Sequence, residues 1–230
     1  MIKAVLFDLD NTLIDFMKMK KRCSEAAIAA MVDAGLNMSE RKAMEKLFEL
    51  YERYGMEDQQ IFDKFLLEET GQIDYKILAS GIAAYRRVKF SHLTPFPHTH
   101  YALIKLKEMG LKLGIVSDAP KKQAWLRLAE LQLIDFFDVV VALEDTGKTK
   151  PHTAPFKKAV AQLSLSPEEI LFVGDNPLRD ITGAKRVGMK TALALYGQVV
   201  KAKTVEAHFK IKDIRELPEL VKKINKQEPK

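Results

Sequence analysis

Cysteine is nearly absent from this sequence: Cys23 is the single one in 230 residues. A lone thiol excludes an intramolecular disulfide framework, so a reducing, cytoplasmic setting is expected. Cys23 falls in a helix-like stretch and reads as packing rather than as a nucleophile. Zinc ligation lacks its material too. The five histidines show no zinc spacing, with His98 and His100 two apart beside a linker. Long apolar runs are also missing. The first, Ile2–Phe7, is cut short by Asp8, below the roughly 7–15 residues of a secretory signal core. Nothing approaches the ~20 residues of a membrane span. Secretion and a membrane partner are therefore not expected.

Charge of one sign is not strongly in excess. The 37 Lys+Arg exceed the 31 Asp+Glu by six, and the basic residues are spread along the chain. Short clusters such as Lys18–Arg22 and Lys222-Lys223 carry no interleaved aromatics, and no nucleic-acid motif is present. The charge reads as a solvated surface, and no nucleic-acid partner is expected. Internal repeats and low-complexity tracts are absent as well. Nothing in the sequence sets an oligomeric state.

What is present is the composition of a folded domain: 47% hydrophobic and 30% charged residues, with 11 Gly and 9 Pro. A chain this long buries an adequate core without staples. Short runs rich in Val, Ile and Leu recur at Ile2–Phe7, Leu111–Val116, Val139–Leu143, Ile170–Val173 and Thr191–Leu195. Each has the length of a strand buried on both faces. Helical patterns separate them at Thr99–Met109, Lys121–Leu131, Pro155–Leu163 and Ile181–Val187. That alternation predicts right-handed βαβ units and an α/β fold, a Rossmann-like parallel sheet core covered by helices. A short strand near Phe209 and a last helix near Glu216–Ile224 are expected in the tail.

One region breaks the alternation. Between Phe16 and Phe90 there are only amphipathic helical stretches, roughly Met17–Ala34, Glu40–Tyr54, Asp58–Glu69 and Tyr75–Val88. Gly35, Gly55 and Gly71 stand where helices should stop, and Ser39 heads its helix as an N-cap. Met44, Leu47, Phe48 and Tyr51 recur at three- and four-residue steps and predict one apolar face. The reading is an inserted helical domain at 16–91 within an α/β core made of 1–15 and 92–230. Pro95 and Pro97 mark the return.

Ligands of open parallel sheets bind beyond the carboxyl ends of the strands. There the sequence places Asp8, Asp10 and Thr12 after the first run, Ser117 and Asp118 after the second, Lys148 and Lys150 after the third, and Gly174-Asp175 after the fourth. Clustered carboxylates repel unless a cation holds them. An all-oxygen set with few protein ligands suits Mg²⁺, which keeps waters and favours phosphate substrates. Plainer readings stand beside these. Asp8 and Asp10 could solvate a strand end, Ser117 could cap the helix at Lys121–Leu131, Lys150 could be a surface lysine, and Asp180 could start a helix.

Asp8-Leu9-Asp10-Asn11-Thr12, Ser117-Asp118, Lys150-Pro151 and Gly174-Asp175 with Asp180 resemble, in order, the four motifs of the haloacid-dehalogenase-like superfamily. The likeness runs from residue 1 to about 200, and the helical insert resembles that family's small cap domain. The resemblance implies a Mg²⁺-dependent phosphatase acting on a small phosphorylated metabolite. Asp8 would be the nucleophile that forms an aspartyl-phosphate. Asp10 would protonate the leaving oxygen and then serve as base for water. Asp8, the Asp10 carbonyl and Asp175 would hold Mg²⁺, with Asp180 orienting metal-bound water from behind. Ser117 and backbone N–H groups near Leu9 and Asp118 would hold phosphoryl oxygens, Lys150 would supply positive charge, and Thr12 would orient the first loop. Pro151 favours Lys150 over Lys148. The two acids of Asp175–Asp180 stand five apart, where many members of the family have four.

Glyceraldehyde 3-phosphate, phosphoglycolate or a nucleoside monophosphate are the substrates the resemblance suggests. A sugar phosphomutase keeps all four motifs. A halide-releasing dehalogenase needs neither metal nor an acid at the position of Asp10, and a non-catalytic phosphate-binding module would not need Asp8. Ala142–Thr149 fits a loose P-loop pattern, but Glu144 and Asp145 place negative charge where phosphate must approach, and Pro151 and Pro155 interrupt the helix that should follow.

Overall fold

The computed structural model describes residues 1–202 and 204–227. It divides into two compact units, Met1–Asp15 with Pro95–Lys230, and Phe16–Thr94. In the first, strands β1 (Ala4–Phe7), β2 (Lys112–Val116), β3 (Val139–Val141), β4 (Ile170–Gly174), β5 (Lys190–Ala194) and β6 (Phe209–Ile211) form one sheet. Their order is β3-β2-β1-β4-β5-β6, and every pairing is parallel. The α/β expectation is borne out. Phe7 stands opposite both Ile115 and Val173, so β1, β2 and β4 end level with one another. Residues just beyond them emerge at one edge.

The central strands β1 and β4 are apolar throughout because both faces are covered. Ala4, Leu6, Ile170 and Phe172 pack with Phe156, Ala159 and Leu163 of the helix at Thr153–Leu163. The alternate residues Val5, Phe7, Leu171 and Val173 are equally buried, which is the pattern of a two-sided parallel sheet. Gly183 lets the helix at Thr182–Val187 lie against Phe156, whose ring a Cβ at that position would strike. At the far end of the chain, Asn225 brackets Ile2. Its Oδ1 accepts from the Ile2 N–H at 2.5 Å and its Nδ2 donates to the Ile2 carbonyl at 3.1 Å.

The second unit consists of α1 (Phe16–Asp33), α2 (Glu40–Tyr54), α3 (Ile61–Thr70) and α4 (Tyr75–His92). Ser39 Oγ accepts from the Lys42 N–H, as its sequence position predicts, and Asp74 caps α4 through the Lys76 and Ile77 N–H groups. Gly35, Gly55 and Gly71 all take positive φ at the helix ends. The core face of α2 is rotated from the expected one: Ala43, Leu47, Leu50 and Tyr51 are buried, while Met44 and Phe48 pack at its margin. Helix α3 begins three residues later than predicted. Asp58 Oδ1 accepts from the Gln60 N–H at 2.7 Å, and that turn holds the chain out of helix. Gly81 allows α4 to approach α1, since a Cβ there would collide with the Met31 side chain.

Other expectations meet mixed outcomes. The third apolar run stops short as a strand, and Leu143–Asp145 forms a tight helical turn with no helix until Thr153, so Ala142–Thr149 is no phosphate loop. Trp125, a large apolar residue in a stretch the sequence predicts as helix, is 38% exposed on the helix at Lys121–Glu130. Cys23 is buried with its Sγ 3.5 Å from Met19 Sδ, and burial pushes the thiol up to about 11, in keeping with a packing role.

Candidate active site

Strands β1 and β4 are neighbours at the point where the strand order turns back, and the crevice beyond such a switch is where ligands of open sheets bind. The chain leaving β1 supplies Asp8 and the chain leaving β4 supplies Asp175. Asp8, Asp175 and Asp180, all buried, each offer a carboxylate oxygen within 4.8 Å of the others. Lys150, reached after β3, bridges two of them: its Nζ lies 2.8 Å from Asp8 Oδ1 and 2.7 Å from Asp180 Oδ1. Lys150 is buried whereas Lys148 is exposed, which decides between the two lysines as members of this cluster.

The electrostatics are those of an incompletely neutralised site. Burial, reinforced by Asp180 and Asp175 and opposed by Lys150, raises Asp8 well above the ordinary carboxylate range. Burial and then Asp180 push Asp175 up to about 7. For Lys150 burial works against the ammonium, but Asp180, Asp8 and Asp118 outweigh it and hold the group above its ordinary value. Three carboxylates share this site with the Lys150 ammonium, which bridges two of them, and feel the Arg179 guanidinium as well. Asp175 Oδ1 is buried without a hydrogen-bond partner, an arrangement that is costly for an anionic oxygen unless a cation meets it. An oxygen-only donor set fits Mg²⁺. Asp180 differs from Asp175, since its Oδ1 faces Lys150 and its Oδ2 accepts from the Asn176 N–H at 3.0 Å.

Local backbone explains why these side chains stand where they do. After Asp8 the chain turns back on itself, with the Leu13 and Ile14 N–H groups donating to the Leu9 carbonyl. Asn11 takes φ 59° at the turn, a left-handed conformation that Asn tolerates better than most residues. Gly174 ends β4 without a Cβ because one would meet the Asp180 carboxyl group. Asn176 caps the π-type turn Pro177–Ile181 by accepting from the Leu178 and Arg179 N–H groups, and this turn swings Asp180 back over the strand end. Asp180 therefore closes the cluster and does not head a free helix.

The profile of the haloacid dehalogenase-like hydrolase family matches residues 5–194, a stretch that contains every residue of this cluster. The chain belongs to that family. It is 37% identical over 227 residues to a glyceraldehyde 3-phosphate phosphatase of Methanocaldococcus jannaschii, covering 98% of this chain and 100% of that protein. A protein of the same name from Pyrococcus abyssi is 35% identical over 227 residues, covering 99% of this chain and 95% of the relative. Among solved structures, a phosphatase of this family from Thermococcus onnurineus superposes with a TM-score of 0.74 at 29% identity, covering 96% of this chain and 98% of that one.

The remaining motif residues of this haloacid dehalogenase-like hydrolase fall around the cluster with less uniform partners. Asp118 ties two loops together: its Oδ1 accepts from the Lys150 N–H at 2.8 Å and its Oδ2 from Arg179 Nη1 at 3.3 Å. Ser117 Oγ accepts from the Ala119 N–H at 3.1 Å. It does not cap the following helix, where Pro120 holds the cap position. The Leu9 N–H donates to Asp8 Oδ1 at 2.7 Å. Thr12 enters through its carbonyl, which accepts from Tyr196 Oη at 2.9 Å. Its hydroxyl is buried with no hydrogen-bond partner. Asp10 points to Arg127, whose Nη1 lies 2.7 Å from Asp10 Oδ2.

Four neighbours escape the sequence reading: Arg127, Arg179, Tyr196 and Gly197. Gly197 abuts the Asn11 carbonyl so closely that no Cβ fits, and Phe96 stacks edge-on against Tyr196 with centroids 5.0 Å apart. Together these brace the loop after β1. Gly197 carries a faint signal, a glycine just past an apolar run. The arginines carry none: Arg127 sits in a pattern that reads as solvated helix, and Arg179 lies between the two acids of the last motif.

Proposed function

We propose that this protein is a Mg²⁺-dependent phosphatase that hydrolyses a small phosphorylated metabolite through an aspartyl-phosphate. The observation that carries the reading is the buried constellation of Asp8, Asp175 and Asp180 around Lys150. In it Asp8 attacks phosphorus and the ester oxygen departs, so that one difficult hydrolysis becomes two easier steps. Asp10 gives a proton to the departing oxygen and then takes one from the water that cleaves the aspartyl-phosphate. Lys150 holds Asp8 in place and offsets charge on the transferring group. Ser117 and the N–H groups near Leu9 and Asp118 receive phosphoryl oxygens once the Leu9 N–H is released from Asp8. Asp8, the Asp10 carbonyl and Asp175 would hold Mg²⁺, and Asp180 would support from behind, both its oxygens being already engaged. The bound cation would supply charge neutralisation between carboxylate and phosphate.

The names borne by the relatives make glyceraldehyde 3-phosphate the first substrate to try, ahead of phosphoglycolate and nucleoside monophosphates. The inserted helical unit, as a cap, selects the leaving group through residues of Phe16–Lys21. The support is chemical: Lys18 and Lys21, with Met17, Arg22, Glu25 and Phe48, line a groove within that unit. The deciding assay is phosphate release from a panel of these esters, with and without Mg²⁺. Asp8→Asn serves as the control. Mg²⁺-dependent release that the variant loses by about a thousandfold or more is expected. Absence of release from every ester, or release that survives the variant, would overturn the reading. Alanine substitution at Lys18 and Lys21 should shift preference among the esters, and an unmoved preference would remove the helical unit from substrate choice.

A further inference from the structure

We propose that Arg127 is the positioning residue for Asp10, an inference that rests on the reading of Asp10 as the proton carrier. Arg127 lies on the inward side of the helix at Lys121–Glu130, in the company of the buried Ala124 and Leu128. Its side chain is only 3% exposed, against 21% for that of Asp10. An apolar residue would be the ordinary occupant of such a place. A buried ion pair gives little net stability over apolar packing, so stability alone is a poor reason for an arginine here. The pair has a positional consequence instead. Asp10 stands on the tight loop that turns at Asn11 and is tied by backbone to the Leu9 carbonyl. The guanidinium, 2.7 Å from Oδ2, holds the Asp10 carboxyl group in this orientation. A guanidinium only donates, and the unprotonated oxygen is the better acceptor, so the pair favours Oδ2 as acceptor and leaves the proton to be transferred on Oδ1. In the first step the Asp8 oxygen–phosphorus bond forms, the ester bond breaks, and the proton passes from Oδ1 to the departing oxygen. In the second, water bonds to phosphorus, the Asp8 oxygen–phosphorus bond breaks, and a water proton returns to Oδ1.

The test compares kcat/KM, with Mg²⁺ present, for an alkyl phosphate that the protein hydrolyses and for p-nitrophenyl phosphate, whose leaving group departs without needing a proton. Arg127→Met should lower kcat/KM for the alkyl ester about tenfold or more beyond its effect on p-nitrophenyl phosphate, with KM little changed. Arg127→Lys should restore part of that selectivity. The double variant with Asp10→Asn should be no worse than Asp10→Asn alone, because the two act through one group. Equal losses on both esters in Arg127→Met and Arg127→Lys, or additive losses in the double variant, would reduce Arg127 to a structural ion pair and overturn the proposal. If Asp10→Asn itself shows no dependence on the leaving group, the assignment of Asp10 as proton carrier falls, and this inference with it. Should Arg127→Met fail to fold, the leaving-group ratio of Arg127→Lys decides alone: an unaltered ratio together with a lowered melting temperature would overturn it.

Discussion

A methyl group at position 174 has nowhere to go, because it would enter the space of the Asp180 carboxyl group. Gly174→Ala should therefore push Asp180 away from Lys150 and, through it, loosen Asp8. The expected result is a fall of about a hundredfold in kcat/KM, the scale set by a misplacement of ~1 Å, with a stability loss of about 1–3 kcal/mol from overpacking. Steady-state kinetics beside thermal unfolding check it, and unchanged kinetics would show that the placement of Asp180 does not matter. At this scale the sequence was legible wherever a residue follows an apolar run. Asp8, Lys150 and Asp175 sit at strand ends, and strand ends can be read. It was illegible where a partner comes from the inward face of a helix. Arg127 looks like a solvated arginine until the fold turns it toward Asp10. Trp125 illustrates the converse, since a large apolar residue in a helical pattern says nothing about which side of the helix faces out.

Elements of the sheet were legible because parallel strands covered on both sides need unbroken apolar runs, and their length separates them from helices. Their ends were less so, since hydrogen bonding and not hydrophobicity decides where a strand stops. Asp138 shows the point. Its backbone N–H donates to the Leu113 carbonyl, while its Oδ2 accepts from the Leu113 N–H at 2.8 Å and from Lys107 Nζ at 3.0 Å. Burial opposes the charged form, but these donors outweigh it and hold the carboxyl below its ordinary range. A depressed folded-state pKa means that the contribution is fully present above the unfolded value of ~3.9 and fades as pH falls through the lower folded value. Asp138→Asn should thus cost about 1 kcal/mol at neutral pH, a figure reduced for the partial exposure of the pair. The gap from the unmodified protein should close as urea unfolding is repeated in acid below about pH 4. A gap independent of pH would assign the effect to geometry instead of charge.

At the scale of the whole molecule the chain divides into two compact units. The absence of strand-like runs between Phe16 and Phe90, together with the glycine stops, made the helical insert readable. The structural boundary falls at Thr94–Pro95 because α4 runs on to His92, four residues past the last position its apolar pattern predicts. Pairings that join distant parts, such as Asn225 with Ile2, leave no local trace in the sequence. The core of the helical unit is drawn from its own four helices, with Ile28, Leu47, Phe65 and Leu66 among its buried members. The sheet builds a separate one around Leu6, Phe156 and Phe172. Damage to one core should therefore stay there. Phe65→Ala removes a fully buried ring and should cost about 3–5 kcal/mol, a large share of what a unit of this size has to lose. Native-state hydrogen exchange then distinguishes two forms of cooperativity. If the units are energetically separate, amides of α1 to α4 lose protection while those of β1 and β4 keep it. If both sets fall together, the sheet draws its stability from the helical insert, and the two cores unfold as one.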